Sequence, residues 1–415
     1  MNISKNNKLF KIMKKTLLFD FRRLIKESLA RRGVATTAYN ASVSRRSRVP
    51  DDSGRRKASQ HSVNLLMPYS FVLHTGEVTA AVPHIAIWLP SFLRSSGRTL
   101  IVVRYQKSLI SVGNYLFKNN YPADVILCKS EKEIDVLIGR LQGTRACFYP
   151  SNTGNNIHLI KHQKIKHIFI GHGDSDKSAS AHKFFRVYNQ NWVAGQANID
   201  RFQSIARNGL EFVKIGRPTL KAVALEAQPD WSSRFDESVN LLCLPTWEGV
   251  YEEQNYSSVS HSKQLLGALK NRFNVGLKFH PMTGSRSSQA KSAINGDFSG
   301  LTLYTAEDTI ESFIDSYNVF ICDISAVVSE CLALNGPIFV YLPPDKDVKL
   351  AESKMPYTDY CYTYSSVTEL LKLLEQVVDN RDDYLAENRK LAMNYILGIE
   401  ETLQDEFVVQ LDKLL

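Results

Sequence analysis

Two histidines, each at the end of an apolar run, are the side chains in this sequence best placed to do chemistry. His172 stands between Gly171 and Gly173, directly after Lys166-His167-Ile168-Phe169-Ile170. Ile165, Ile168, Phe169 and Ile170 read as a buried parallel strand, and the flanking glycines let the backbone turn sharply at its carboxyl end. In open α/β sheets that end is where ligands sit. An imidazole there titrates near neutral pH and can take the proton of an attacking hydroxyl. A capping role in a tight turn fits the same residue. His280 closes the run Asn274 to Phe279, just before Pro281. It can hydrogen-bond a phosphate or serve in packing alone.

A third candidate is the turn Asp323-Ile324-Ser325-Ala326, which ends the run from Asn318. A helix is expected after it, through Val327, Glu330 and Leu334, stopping at Asn335-Gly336-Pro337. Ser325 and Ala326 then lie at its first turn, where free N–H groups and the helix dipole favour an anion. Simple N-capping by Ser325 is compatible with the same placement. Pro245-Thr246-Trp247-Glu248-Gly249 follows another strand-like run and can contact a nucleotide; Trp247 equally suits packing. Asp174-Ser175-Asp176 has the form of a metal-holding DxD triplet, but such triplets are frequent by chance and the two-sheet pattern does not match that use. No metal and no cofactor are expected.

These residues need a scaffold that brings several strand ends to one edge. From about Val63, short apolar runs alternate with helix-length segments. Runs at 68–75, 99–105, 124–130, 145–151, 166–173, 190–196 and 211–218 read as strands. After a polar stretch at 221–238 the alternation restarts, with runs at 239–247, 274–281, 301–305, 318–325 and 337–343, then a helical C-terminus from about Ser365. Such alternation predicts parallel sheets with helices on both faces. The fold class is therefore α/β, GT-B-like: two doubly wound Rossmann-like domains facing a cleft, behind a basic N-terminal extension. The expected divisions are 1–60 for the extension, 61–228 for an acceptor domain carrying His172, and 229–415 for a nucleotide-donor domain.

The formal net charge is +9, but residues 1–60 carry 16 Lys/Arg against 4 Asp/Glu, a charge of +12. The remainder carries 35 against 38, a charge of −3. Basicity thus belongs to the extension, and a nucleic-acid partner for the body is not expected. Phe10, Met13, Leu17, Phe21, Ile25 and Leu29 fall on one helical face flanked by lysines and arginines. A helix of that kind suits an anionic membrane surface; a helix packed on the body or a disordered tail fits the same residues. The stretch from Ala30 to Gln60, rich in Arg and Ser and poor in acids, has the composition of an organellar targeting segment. No apolar run reaches the roughly 18 residues a bilayer span needs. The six cysteines form no CxxC pair; four sit in apolar runs as small hydrophobes, which favours a reducing compartment.

His-Gly-Asp-Ser-Asp-Lys (172–177), VAGQANIDRF (193–202), IGRP (215–218), PTWEG, FHP (279–281) and CDISAVVSE (322–330) occur in this order. In these motifs, across about residues 145–345, the chain resembles the CDP-glycerol glycerophosphotransferase family of teichoic-acid-type polymerases and primases, in the branch with an HGxSDK loop. The resemblance implies a GT-B enzyme at the cytoplasmic face of the membrane, bound there peripherally. Its implied reaction moves glycerol phosphate from CDP-glycerol to a hydroxyl of a lipid-linked or cell-surface glycan. His172 matches the general base, His280 the histidine on the pyrophosphate, and Asp323 with Ser325 the phosphate turn. The implied substrate-binding set is Gly173, Asp174, Lys177, Thr246, Arg286, Asp323, Ser325, Ala326 and Glu330. The chain departs from the pattern at Ser175, near where the polymerases carry proline, and at Ala326, where they carry a second serine. Met282 and Thr283 follow the HP pair in place of a basic residue, a role Arg286 can take. The rival readings are a GT-B glycosyltransferase using a nucleotide sugar in capsule or lipopolysaccharide assembly, and a non-catalytic binder of lipid-linked glycan.

Overall fold

The computed structural model describes residues 68–173, 183–203, 209–226, 230–249, 252, 255–296, 298–305, 308–348, 350, 353–399 and 405–415. The amphipathic stretch expected at 8–29, together with Asp174 and Lys177, lies outside them.

Seven short apolar runs form the first sheet: β1 Phe71–Thr75, β2 Thr99–Val103, β3 Asp124–Leu127, β4 Ala146–Tyr149, β5 Lys166–Phe169, β6 Gln190–Val193 and β7 Phe212–Lys214. They pair in the order β3-β2-β1-β4-β5-β6-β7, every pair parallel. The second sheet holds β8 Asn240–Leu244, β9 Asn274–Lys278, β10 Thr302–Tyr304, β11 Val319–Asp323, β12 Ile338–Tyr341 and β13 Tyr362–Tyr364. Its order is β10-β9-β8-β11-β12-β13, again all parallel. Both sheets are doubly wound. The direction in which strands are added reverses between β1 and β4 and between β8 and β11, the place where such folds take ligands. β13 was not expected from the sequence: three residues, two of them tyrosines, carry little apolar signal.

The inner strands of a two-sided parallel sheet are covered on both faces, which is why β1, β2, β4, β11 and β12 are buried along their whole length. Between β1 and β2 stand two helices, Ala81–Ala86 and Leu89–Arg94, the second with Pro90 in its first turn. A proline is tolerated there because that N–H has no helical partner.

The domain divisions differ from the sequence expectation in two places. The helix Pro218–Glu226 buries Leu220, Val223 and Ala224 in the core of the second domain, so the chain changes domain near Arg217 rather than at 228. The C-terminal helix Glu406–Asp412 returns to the first domain. Phe407 stacks on Trp88 at 4.9 Å and meets Phe92 edge-on at 5.2 Å. Asp412 accepts hydrogen bonds from Ser95 and Ser96. Phe407 and Leu411, four residues apart, share one apolar face that only the first domain covers. The chain before the second crossing touches the end of β6: a Cβ on Gly398 would come within 2.4 Å of the Ala194 carbonyl, and one on Gly195 within 2.6 Å of the Tyr395 carbonyl. That backbone-on-backbone contact accounts for the glycine of the VAGQ motif.

Candidate active site

His172 follows β5. Gly171 before it holds φ at +65°, a conformation glycine adopts without strain. Its carbonyl accepts a 2.7 Å hydrogen bond from the Trp88 indole N–H, and the Arg217 guanidinium lies over that indole. The loop is therefore seated on a buried aromatic residue. The His172 ring is exposed, with Nδ1 2.7 Å from the Pro150 carbonyl just past β4. A carbonyl only accepts, so Nδ1 carries the proton and Nε2 keeps its lone pair. That is the tautomer a general base needs.

His280 follows β9 and is also exposed. Here the backbone N–H of Met282 donates to Nδ1 at 3.1 Å. Nδ1 must then hold the lone pair, and the proton of the neutral ring sits on Nε2. This ring offers a donor, the form that suits a phosphate oxygen. Its face is parallel to Trp247, with centroids 5.9 Å apart. The loop after it is pinned from below: the buried Glu248 carboxylate accepts from the N–H groups of Gly284 at 3.0 Å and Ser287 at 3.1 Å. Arg286 lies exposed on that pinned loop.

The two domains meet at this site. A Cβ built on Gly173 would fall 2.8 Å from the Ala326 side chain and 3.9 Å from Glu330 Oε1. The loop after β5 therefore presses against the turn after β11. The helix there is short, Val327–Cys331, and its N-cap is Ala326, with no side-chain cap. Ser325 accordingly does not cap it; its carbonyl receives Val328 N–H at 3.4 Å. Glu330 also acts electrostatically on Lys278 at the end of β9, whose ammonium is pushed down by burial and partly restored by Asp308 and Glu330.

Asp323 and Thr246 belong to the floor of the site and not to its open turn. Asp323 is fully buried, and its Oδ2 accepts from Thr246 N–H at 2.7 Å and Ser258 N–H at 2.9 Å. Thr246 is buried too, and its carbonyl accepts from Ser257 Oγ. The carboxylate thus ties the loops after β8 and β11 together at the point where the second sheet reverses. Two site residues were not anticipated from the sequence. Glu248 was visible only as a member of PTWEG. His84 stacks on His172, with ring centroids 3.9 Å apart. Burial pushes its ring down to about 2, with His172 and His280 adding to the shift, so it is neutral and both other histidines lie within electrostatic reach. Among the described residues, no group of three or more His, Cys, Asp or Glu is arranged to hold a metal ion. Among them, no helix is long and apolar enough to cross a membrane.

Two doubly wound sheets, with a histidine from each at a shared edge and a glycine loop pressed on the opposing turn, define a GT-B-like fold with its site between the sheets. Residues 233–397 match the family described as CDP-Glycerol:Poly(glycerophosphate) glycerophosphotransferase. Over that stretch, which lies in the second domain and is less than half of the chain, the sequence is similar to that family. Among solved structures it is similar to the wall teichoic acid polymerase TagF, at TM-score 0.53 and 13% identity over 83% of this chain and 88% of that one. A structure of the same polymerase soaked with CDPG gives 0.55 and 14% identity, covering 83% and 87%. The UDP-GlcNAc 2-epimerase of Neisseria meningitidis, bound to UDP-GlcNAc, gives 0.50 and 12%, covering 83% and 99%. At these identities the structural likenesses concern the fold. No curated protein matches the chain in sequence.

Proposed function

We propose that this chain transfers glycerol phosphate from CDP-glycerol to a hydroxyl of a lipid-linked or cell-surface glycan, in teichoic-acid-like or capsule polymer synthesis. The observation that carries this reading is the pair of opposite tautomers: a base-ready His172 on one domain and a donor-ready His280 on the other. The acceptor oxygen attacks the β-phosphorus of CDP-glycerol, its proton passes to His172 Nε2, and the bond to the bridging oxygen breaks to release CMP. His280 Nε2–H and the backbone of the Ser325–Val327 turn neutralise charge on the phosphates as it shifts to the leaving group. Little covalent work falls to the protein, so positioning supplies much of the rate. An ionised Glu330 accepts and cannot donate, which fits a hydroxyl of the donor better than a phosphate. The CDPG soak of the polymerase TagF supports the choice of donor.

The reading is tested by giving the purified protein CDP-glycerol, UDP-sugars or CMP-sugars and following nucleotide release with and without a glycan acceptor. CMP release from CDP-glycerol that rises with acceptor is the expected result. Release from a nucleotide sugar alone would favour the glycosyltransferase reading. Location at the cytoplasmic membrane face is part of the proposal and rests on the +12 charge of residues 1–60. The full chain should bind anionic vesicles and a chain starting near Ser62 should not; retained binding by the shorter chain would remove the tether.

A further inference from the structure

We propose that His84 is a positioning residue for His172: its ring and the Pro150 carbonyl together hold the His172 imidazole in one orientation and one tautomer. The inference rests on the reading of His172 as the base. It adds a residue that none of the motifs contains.

The geometry constrains the His172 ring in two independent directions. The hydrogen bond to Pro150, at 2.7 Å, fixes one edge. The His84 ring covers one face, centroids 3.9 Å apart and planes 21° from parallel. An exposed histidine held only by its edge can swing about that bond, and rotation by half a turn about χ2 would exchange the two sides of the ring. A flat partner on its face opposes the swing directly and hinders the half-turn, during which the ring must leave its plane, while the Pro150 carbonyl selects between the two sides. His84 is itself firmly placed. It lies in the helix Ala81–Ala86, whose Ala81 and Ile85 are wholly buried in the core of the first domain, and its own exposure is 8%. Its backbone N–H donates to the Ala80 carbonyl at 3.1 Å. Its Nδ1 has no hydrogen-bond partner among the described residues. A buried polar atom left so costs stability, and an apolar side chain would serve packing alone at least as well. The face-to-face contact gives a reason for a ring at this position. Misorientation of a base by a fraction of an ångström lowers the rate without touching donor affinity.

The experiment compares His84→Leu, which keeps the volume but not the flat face, with His84→Phe, which keeps the face. Two readouts are taken on the full-length protein. Steady-state kinetics with CDP-glycerol should show kcat down by about ten-fold or more in His84→Leu with donor KM within about two-fold, and recovery to within about three-fold of wild type in His84→Phe. Nitrogen-15 shifts of the His172 ring, assigned by loss of the signal in His172→Ala, should show the Nδ1–H form alone in wild type and His84→Phe. In His84→Leu the Nε2–H form should appear beside it. A His84→Leu protein with the wild-type tautomer and wild-type kcat overturns the proposal, as does a His84→Phe protein no better than His84→Leu in both readouts. Should His172→Ala retain full turnover, the base reading falls, and the ring shifts still decide whether His84 orients His172.

Discussion

His172 and His280 occupy corresponding places in the two halves of the molecule, each just past the carboxyl end of a parallel strand, yet their backbones leave them in opposite protonation patterns. Pro150 presents a carbonyl to Nδ1 of the first; Met282 presents an N–H to Nδ1 of the second. One local partner thus decides whether a ring offers a lone pair or a proton. The loops are also anchored differently. The loop after β5 hangs on aromatic packing, through Trp88 and the stacked His84. The loop after β9 hangs on a buried carboxylate, Glu248, that gathers backbone N–H groups. The first arrangement fixes a ring; the second fixes a stretch of backbone around a binding surface. Rate and affinity should therefore separate between the two domains.

Replacement of His172 is the strongest way to break that comparison. In His172→Ala, turnover should fall by at least about 10²-fold with the dissociation constant for CDP-glycerol nearly unchanged. The ring is exposed, so the thermal midpoint should hardly move. Single-turnover rates beside calorimetric binding would decide it; a variant that loses affinity instead would place His172 on the donor side.

His280→Ala should show the converse pattern. Loss of a hydrogen bond to a charged group costs about 1.5–3 kcal/mol, roughly a ten- to hundred-fold weakening for CDP and CDP-glycerol. CMP, which lacks the second phosphate, should lose less. Equal weakening of all three nucleotides in calorimetry would move His280 away from that phosphate.

Glu248 extends the contrast to stability. Glu248→Ala leaves backbone N–H groups at Gly284 and Ser287 without their acceptor, a cost of about 1–3 kcal/mol. Urea denaturation should report that loss, and affinity for CDP-glycerol should fall as the loop bearing Arg286 loosens. Glu248→Gln keeps one acceptor oxygen and should lose less in both. A Glu248→Ala protein as stable as wild type would show that the loop holds itself.

The sheets were legible because a parallel strand buried on both faces must be a near-continuous apolar run, and twelve such runs stand out from Phe71 to Tyr341. Tyr362–Tyr364 escaped because its burial comes from packing against β12 and not from apolar composition. The allegiance of Pro218–Glu226 and Glu406–Asp412 was hidden for a related reason. An amphipathic helix advertises that it has an apolar face, never which core will receive it. Within the site, His172 and His280 could be placed at strand ends from glycine and proline punctuation alone. Their tautomers could not, since these depend on partners 22 residues away in one case and two in the other. Asp323 was recognised by its motif, but its inward direction follows from the N–H groups of Thr246 and Ser258, which only the fold brings to it. His84 carried no signal: a single histidine in a short helix has no pattern to read.

The smallest expected effect comes from the seam between the halves, where Gly173 meets Ala326. A Cβ on Gly173 would lie 2.8 Å from the Ala326 Cβ, closer than such carbons approach, and among the described residues beyond its chain neighbours no backbone atom lies within 4 Å to worsen the clash. In Gly173→Ala the loop can therefore give by a few tenths of an ångström, at the low end of the about 1–3 kcal/mol that overpacking costs. If the contact is needed for the two histidines to act on one donor, roughly five-fold should be lost in kcat/KM. Folding stability should fall by no more than about 1 kcal/mol, because the contact joins two loops and not two cores. Ala326→Gly in the same chain removes the opposing carbon and should restore the rate. Ala326→Ser, which puts back the residue of the resembled polymerases, leaves that carbon in place and should not relieve Gly173→Ala. Rates for the single and double variants form a cycle whose coupling measures the seam. Strict additivity would mean that the loops do not press together during the reaction and that each histidine works from its own domain.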